Sequence, residues 1–381
     1  MAKLAIIGAS YLQLPLIKKA KARGIETHVF AWNCGDVGEK EADFFYPISI
    51  IEKKQILDKC KEIGVHGICS IASDLAIVTV NYVAEHMNLV GNSTECTEVS
   101  TNKYKMRQCF KVNGDPSPKS LFVQSASDLN GAILEYPVIV KPLDRSGSRG
   151  ITKLTNAMGL EEAIERAKGQ GFKKCALVEE FVTGEEYSVE FISWQGEHHF
   201  LTVTKKYTTG APGFIETAHL EPAGLDQGTE KRVIEVIRHA LTSLGIQYGA
   251  SHSEVKISDK GEIKIIEIGG RMGGDCIGSS LVELSTGFDF VNAVIDVALG
   301  IKPEVVKDKK AAAAVRFVFD QRDVDVLQEL RCTYPEWIVE QDVHEITSEE
   351  VTDSSARFGY YIIKAETPVE LEPYLPKGKE E

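Results

Sequence analysis

Along the first hundred residues, short apolar runs alternate with longer stretches of helical period. Residues 4–7 are apolar and end at Gly8, a helical pattern follows through Arg23 and Gly24, and a second apolar run covers 27–31. The rhythm repeats as a strand at 44–48, a helix at 53–63 and a strand at 67–71. Strand, helix, strand in this order predicts a doubly wound parallel sheet covered on both faces. Further on, the pattern predicts a helix over 102–112, a loop over 113–118, a buried strand over 136–142 and a helix over 159–168. A strand over 175–178 and an alternating strand over 187–193 come next, the latter turning at Gln195-Gly196. Helices over 227–244, ended by Gly245, and 289–299, ended by Gly300, lead to a last stretch. That stretch reads as strands at 311–319 and 359–365 separated by acidic loops, with a frayed tail at 376–381.

One segment carries unusual chemistry. Two β-branched and apolar runs, 255–257 and 263–268, flank Asp259-Lys260-Gly261 and predict a β-hairpin. With Lys260 and Gly261 as a two-residue turn, Glu254 stands opposite Glu267 on one face. A three-residue loop with a bulge would shift the pairing by one, and twist or a second bulge would have to bring the carboxylates together again. Two bare carboxylates ~4 Å apart at an effective dielectric of ~20 repel by ~4 kcal/mol, so the pair requires a cation or a proton. Arg271 and the glycines 269, 270, 273 and 274 follow, a composition that lets backbone approach an anion. A divalent metal holding phosphate satisfies these demands; the plain alternative is an exposed hairpin with solvated glutamates.

Composition narrows the class. With 381 residues the chain suits two or three domains, and its 43% hydrophobic and 26% charged content is that of a globular protein. A net charge of −13 argues against a nucleic-acid surface. The 8 cysteines form neither a CxxC pair nor a Cys/His cluster, which fits a reducing cytoplasm without a zinc module. No apolar run is long enough for a membrane span, and none reads as a signal peptide. The Gly8 loop, ending at Pro15, has one glycine where a dinucleotide fingerprint needs three, so NAD and FAD are not expected.

Other motifs are individually ordinary. Lys141 ends an apolar strand and is costly there unless paired. Ser146, Gly147 and Ser148 lie in a loop suited to wrapping phosphate oxygens. Glu179, Glu180, Phe181, Val182 and Glu186 place an apolar linker between acids, able to take a purine by its main chain and a ribose by a carboxylate. Glu216 and His219, three apart, invite a metal-ligand or acid/base reading beside the commoner structural one.

In order and spacing, Lys103, Val140-Lys141-Pro142, the 146–150 loop, the 178–186 segment, Glu254 and Glu267-x-x-x-Arg271 resemble the signature of the ATP-grasp superfamily. The resemblance implies a mixed α/β fold: a Rossmann-like domain at 1–101, an ATP-grasp domain at 102–305 with a mobile lid near 116–178, and a small α+β domain at 306–381. It implies that Lys103 and Lys141 hold ATP phosphates under the Ser146–Gly147–Ser148 loop. Glu179, Glu180, Phe181 and Val182 would line adenine, Glu186 would hold the ribose, and Glu254 and Glu267 would bind Mg²⁺, with Mn²⁺ as a substitute. The family has an Asn two residues beyond the second metal glutamate where this chain has Gly269, so a further ligand must come from elsewhere, Glu216 being the candidate.

Within the superfamily, Glu216-x-x-His219, His252-x-Glu254 and Glu267-x-x-x-Arg271 are most similar to the L-amino-acid ligases that make dipeptides. That likeness implies an ATP-dependent carboxylate–amine ligase working through an acyl phosphate and releasing ADP and phosphate. Arg271, Glu216 and His219 would be catalytic, and Gly274 and Asp275 would border the second-substrate pocket. The expected partners are small molecules and a second copy in a homodimer, not nucleic acid or membrane. Two alternatives stand beside it: a purine-pathway or carboxylase-like enzyme activating formate or bicarbonate, and an ATP-binding regulator without chemistry.

Overall fold

The computed structural model describes residues 1–144, 149–211, 213–347 and 350–377. The N-terminal apolar runs form β1 (Lys3–Ile7), β2 (Glu26–Phe30), β3 (Phe44–Tyr46) and β4 (Gly67–Cys69), a parallel sheet in the order β3-β2-β1-β4. Alternate residues of β1 face opposite layers. Leu4 and Ile6 pack with Leu16 and Ile17 of one helix, while Ala5 and Ile7 pack with Ile56 and Leu57 of another. The doubly wound arrangement therefore follows from the sequence rhythm. The helix Asp74–Met87 comes after β4 and was not anticipated; Ser73 caps it by accepting the Ala76 N–H at 3.2 Å.

A second, smaller sheet contains β5 (Ser120–Val123), β6 (Val138–Pro142), β7 (Thr152–Leu154) and β8 (Ala176–Glu180), antiparallel in the order β5-β8-β6-β7. The helix Leu160–Gln170 covers it through Ala163, Ile164 and Ala167. These strands occupy the stretch in which the resemblance places a lid.

The largest sheet is antiparallel and contains β9 (Glu185–Trp194), β10 (Glu197–Thr208), β11 (Glu216–Glu221), β12 (Gly249–Ile257), β13 (Ile263–Gly269), β14 (Ala312–Phe317), β15 (Ile338–Val343) and β16 (Gly359–Ala365). Their order is β13-β12-β9-β10-β11-β14-β16-β15. Gln195 and Gly196 both adopt positive φ, as the hairpin turn between β9 and β10 demands. The sheet continues from β11 to β14, across the expected boundary at 305/306.

The reading of the C-terminal stretch as strands and acidic loops needs one correction. Residues Gln321–Thr333 form a helix, with Asp320 accepting the Arg322 N–H at 2.8 Å at its start and Leu327 and Leu330 buried. Its acidic residues suggested a loop because only a narrow apolar stripe is needed where a helix lies on one face of a sheet. Among the described residues, no helix is long and apolar enough to cross a membrane. All eight cysteines are free.

Candidate active site

The hairpin forms by the route that the turn chemistry favours, not the simplest one. Ser258 N–H donates to the Glu262 carbonyl at 3.0 Å and Gly261 N–H to the Ser258 carbonyl at 2.7 Å, with Gly261 at φ 74°. The loop is thus Asp259-Lys260-Gly261, three residues rather than two, and Ile257, Lys256 and Val255 pair with Ile263, Lys264 and Ile265. This offset alone would separate the glutamates. The register then shifts by one at Ile266, and Glu254 pairs with Glu267 after all. The displaced Ile266 carbonyl accepts Arg107 Nη2 at 2.5 Å, so a residue from another element holds the bulge.

A second irregularity acts in the same way on β11. Thr208 pairs with Glu216 but Tyr207 with Ala218, leaving Thr217 as the extra residue. Residues three apart on a regular strand face opposite sides, whereas the bulge lets Glu216 and His219 face one cavity.

That cavity has a volume of about 960 Å³ and is bordered by both antiparallel sheets and by segments that follow strands of the parallel one. Glu254, Glu267, Lys103, Lys141, Glu179, Glu180, Phe181, Val182, Glu186, Glu216, His219, Arg271, Gly274 and Asp275 all line it, although they span nearly half the chain. Ser146, Gly147 and Ser148 lie outside the described residues.

Cations and carboxylates interlock along its walls. Lys103 Nζ lies 2.5 Å from Glu267, at the start of a helix capped by Asn102. Lys206, on β10, lies 2.8 Å from Glu186, 2.7 Å from Glu254 and 3.7 Å from Glu216. Burial alone would lower the Lys206 pKa, but these carboxylates outweigh it and hold it well above the ordinary value. Glu254 is correspondingly held well below: burial would raise it, and Lys206 and His252 overcome this. The sequence argument that the acidic pair requires a cation is therefore met by two lysines. Lys206 was not selected from the sequence, where it stands beside Lys205; only strand alternation separates them, Lys205 turning outward to Glu185 at 2.6 Å.

The expectation that Lys141 must be paired is met by Glu179 at 2.5 Å. Arg107 Nε also reaches Glu179, at 2.9 Å, and all three side chains are at most 7% exposed. Burial lowers the Lys141 pKa and Glu179 opposes this. The Glu179 carboxylate, at the cavity wall, is thus engaged by two cations. The Phe181 N–H is likewise occupied, by the Pro137 carbonyl at 3.2 Å. The Phe181 ring remains as an apolar surface, with Lys153 Nζ 3.6 Å and Lys256 Nζ 5.3 Å from its centre.

At the hairpin's exit, Arg271 forms a bidentate pair with Asp74 through Nε and Nη2, each at 2.9 Å. Asp74 begins a helix of the N-terminal sheet and was missed; no local signal connects positions 197 residues apart. A Cβ at Gly269 would lie 2.6 Å from Asp74 Oδ1, so the glycine at the expected Asn position makes room for this carboxylate. Beyond Gly274, Asp275 pairs with Arg357 at 2.8 and 3.0 Å, and His219 Nε2 lies 3.9 Å from Asp275. Burial lowers the His219 pKa, with Asp275 opposing. His252 contacts the buried Glu190 through Nδ1; burial would lower its pKa, and Glu190 raises it to about 9.

Glu254 and Glu267 fit a divalent metal as two of its ligands: they are adjacent, oxygen-bearing and directed into the cavity. Among the described residues no group of three or more His, Cys, Asp or Glu side chains could by itself hold the metal, so Glu216, the expected further ligand, does not complete the set and the remaining ligands would be phosphate and water.

Lysines and an acidic hairpin wall this cavity in a fold of one parallel and two antiparallel sheets, and residues 134–279 match the ATP-grasp domain. The chain carries that domain. It is 28% identical over 291 residues to the alanine–anticapsin ligase of Bacillus subtilis strain 168, an alignment covering 67% of this chain and 61% of that relative's length. In structure it is similar to an L-amino acid ligase from Bacillus licheniformis, with a TM-score of 0.84 and 23% identity over 98% of this chain and 96% of the other. It also resembles the biotin carboxylase domain of a 2-oxoglutarate carboxylase from Hydrogenobacter thermophilus, solved with MgADP and bicarbonate. The TM-score is 0.75 at 17% identity, covering 96% and 86% of the two chains.

Proposed function

We propose that the protein is an ATP-dependent carboxylate–amine ligase acting on amino-acid substrates in the cytoplasm. The observation that carries this reading is the pairing of Glu254 with Glu267 on one face, each already neutralised by a lysine, inside a cavity that also holds Lys141 and Arg271. A carboxylate is a poor acylating agent. Transfer of the γ-phosphoryl group of ATP to one of its oxygens gives an acyl phosphate and ADP; the amine then attacks the carbonyl, phosphate leaves and one proton is lost. Lys103 and Lys206 turn from the glutamates to the phosphates when nucleotide enters, and Lys141, held by Glu179, meets them from the smaller sheet. Magnesium bound at Glu254 and Glu267 supplies charge neutralisation of the phosphate oxygens. Arg271, anchored by Asp74, stabilises the charge of the tetrahedral adduct, while Glu216 and His219 face the amine. Residues 116–178 act as the lid that keeps water from the acyl phosphate.

The test is to supply ATP, Mg²⁺ and a panel of amino acids with hydroxylamine as trap. ADP, phosphate and an acyl hydroxamate are expected, and Glu267→Gln should abolish all three while leaving the fold intact. AMP with pyrophosphate would refute the mechanism. Hydroxamate from formate, or nucleotide-dependent use of bicarbonate, without a response to any amino acid would move the protein to the carboxylase-like reading.

A further inference from the structure

Two arginine–carboxylate clamps face the same cavity, and the ligase chemistry uses only one of them. Arg271, beside the acidic hairpin, belongs to the reacting centre. Arg357 reaches the cavity from a different segment, following a short helical turn over Ser354–Ala356, and no sequence motif pointed to it.

Its surroundings define what it has left to offer. The side chain is 5% exposed and the guanidinium carbon lies 3.7 Å from the centre of the Phe317 ring. Nε donates to the Ser354 carbonyl at 2.7 Å, and Nη1 donates to Asp275 Oδ2 at 3.0 Å and to the Glu216 carbonyl at 3.4 Å. Nη2 donates to Asp275 Oδ1 at 2.8 Å. A guanidinium has five N–H bonds, so one Nη2 hydrogen remains for a ligand or for the bordering Tyr11 hydroxyl. Each Asp275 oxygen takes one bond from Arg357 and has a further lone pair, since His219 Nε2 at 3.9 Å is beyond hydrogen-bond reach. The backbone holds Asp275 there under strain: it and Cys276 are consecutive non-glycine residues at φ 49° and 65°.

The wall therefore presents one Arg357 donor, shared with the Tyr11 hydroxyl, beside free lone pairs on Asp275, the complement of an amino acid's carboxylate and ammonium. The acid being phosphorylated is served by Arg271, which leaves the other substrate for this wall. On the ligase reading given above, we propose that Arg357 is a specificity-determining residue that reads the α-carboxylate of the amine acceptor, with Asp275 beside it receiving the ammonium.

The experiment compares free L-amino acids with their α-amides as acceptors, following product by mass spectrometry. Wild-type protein should favour the free acids by ~10- to 100-fold in kcat/KM, the worth of one charge-assisted hydrogen bond. Arg357→Gln should bring that preference to near unity, and Arg357→Lys should retain part of it. Asp275→Asn breaks the same ion pair but leaves the guanidinium, so the preference for free acids should survive although the KM for the acceptor rises. Equal use of acids and amides by the wild type overturns the proposal. So does equal loss of the preference in Asp275→Asn and Arg357→Gln, which would make the pair a structural strut. The wild-type hydroxamate assay separates this from failure of the ligase reading: absence of hydroxamate sinks both, whereas hydroxamate without acid-over-amide preference sinks only the role of Arg357.

Discussion

Replacing Glu179 by Gln removes one negative charge from a site where it faces two positive ones. In the native protein Lys141 and Arg107 lie 2.5 and 2.9 Å from this carboxylate, and both are almost wholly buried. Arg107 stays charged at any accessible pH, and its Nη1 has no partner in the described structure. Uncompensated burial after loss of one partner typically costs ~3–5 kcal/mol, and a Coulomb repulsion of ~4 kcal/mol for unit charges ~4 Å apart at an effective dielectric of ~20 agrees with that range. The strain has one outlet, release of the Lys141 proton. Burial already lowers this lysine's pKa and Glu179 opposes the shift, so the variant lowers it further. A lysine whose pKa is lower folded than unfolded binds fewer protons in the folded state between the two values, so stability rises with pH there, by at most ~1.4 kcal/mol per pH unit. Urea unfolding of both proteins from about pH 6 to about pH 9.5 should show a deficit of ~3–5 kcal/mol that narrows as pH rises. Adding Lys141→Met to the variant should recover much of the loss, because it removes the surplus cation. A deficit below ~1 kcal/mol, or one that does not change with pH, would refute the argument that this carboxylate is what makes the two buried cations tolerable.

Other perturbations probe different parts of the site. Gly269→Ala places a Cβ 2.6 Å from Asp74 Oδ1 and 3.3 Å from Arg271 Nε, so the clamp on Arg271 must open. Hydroxamate formation should fall by ~10- to 100-fold with the KM for ATP little changed, and wild-type rates in this variant would remove Asp74 from the argument. Glu221, buried at the end of β11, accepts from Thr204 at 2.9 Å and Ser285 at 2.7 Å, and burial pushes its carboxyl up to about 8. Its folded pKa exceeds the unfolded one, so its contribution falls as pH rises from about 4.5 to about 8. Glu221→Gln should therefore gain stability over the wild type at about pH 8.5 relative to about pH 6, and thermal unfolding with no such change would contradict a buried neutral acid. Magnesium should strengthen ATP binding in the native protein and not in Glu254→Gln, measured by calorimetry without any acceptor present; retained magnesium dependence would place the metal elsewhere.

Much of the framework was legible because it depends on neighbours in the chain. Turn residues, caps and the alternation of apolar positions located the strands of the parallel sheet within a residue or two of their ends, and the β9–β10 and acidic hairpins by their turns, although β12 begins six residues before the predicted start. The same local logic failed at Gln321–Thr333, whose acidic face concealed a helix that only the covering of β14 and β16 makes stable. The ordered set of lysines and glutamates also identified the walls that come from the two antiparallel sheets between residues 103 and 275, since charged groups on apolar strands have few reasons to be there.

What the sequence determined by itself was which elements form and which polar residues they carry. What only the tertiary structure decided was how those residues face one another. The two hairpin glutamates meet because a bulge at Ile266, held by Arg107, restores a register that the three-residue turn had shifted. Glu216 joins His219 because Thr217 is set aside in the same manner. Asp74, Lys206 and Arg357 enter the site from other segments, pairing across the fold to carboxylates and an arginine with which they share no local pattern. Side-chain period and turn chemistry act over a few residues, whereas register correction and charge pairing are settled by whichever distant group satisfies a buried carbonyl or charge, and that is decided only when the sheets come together.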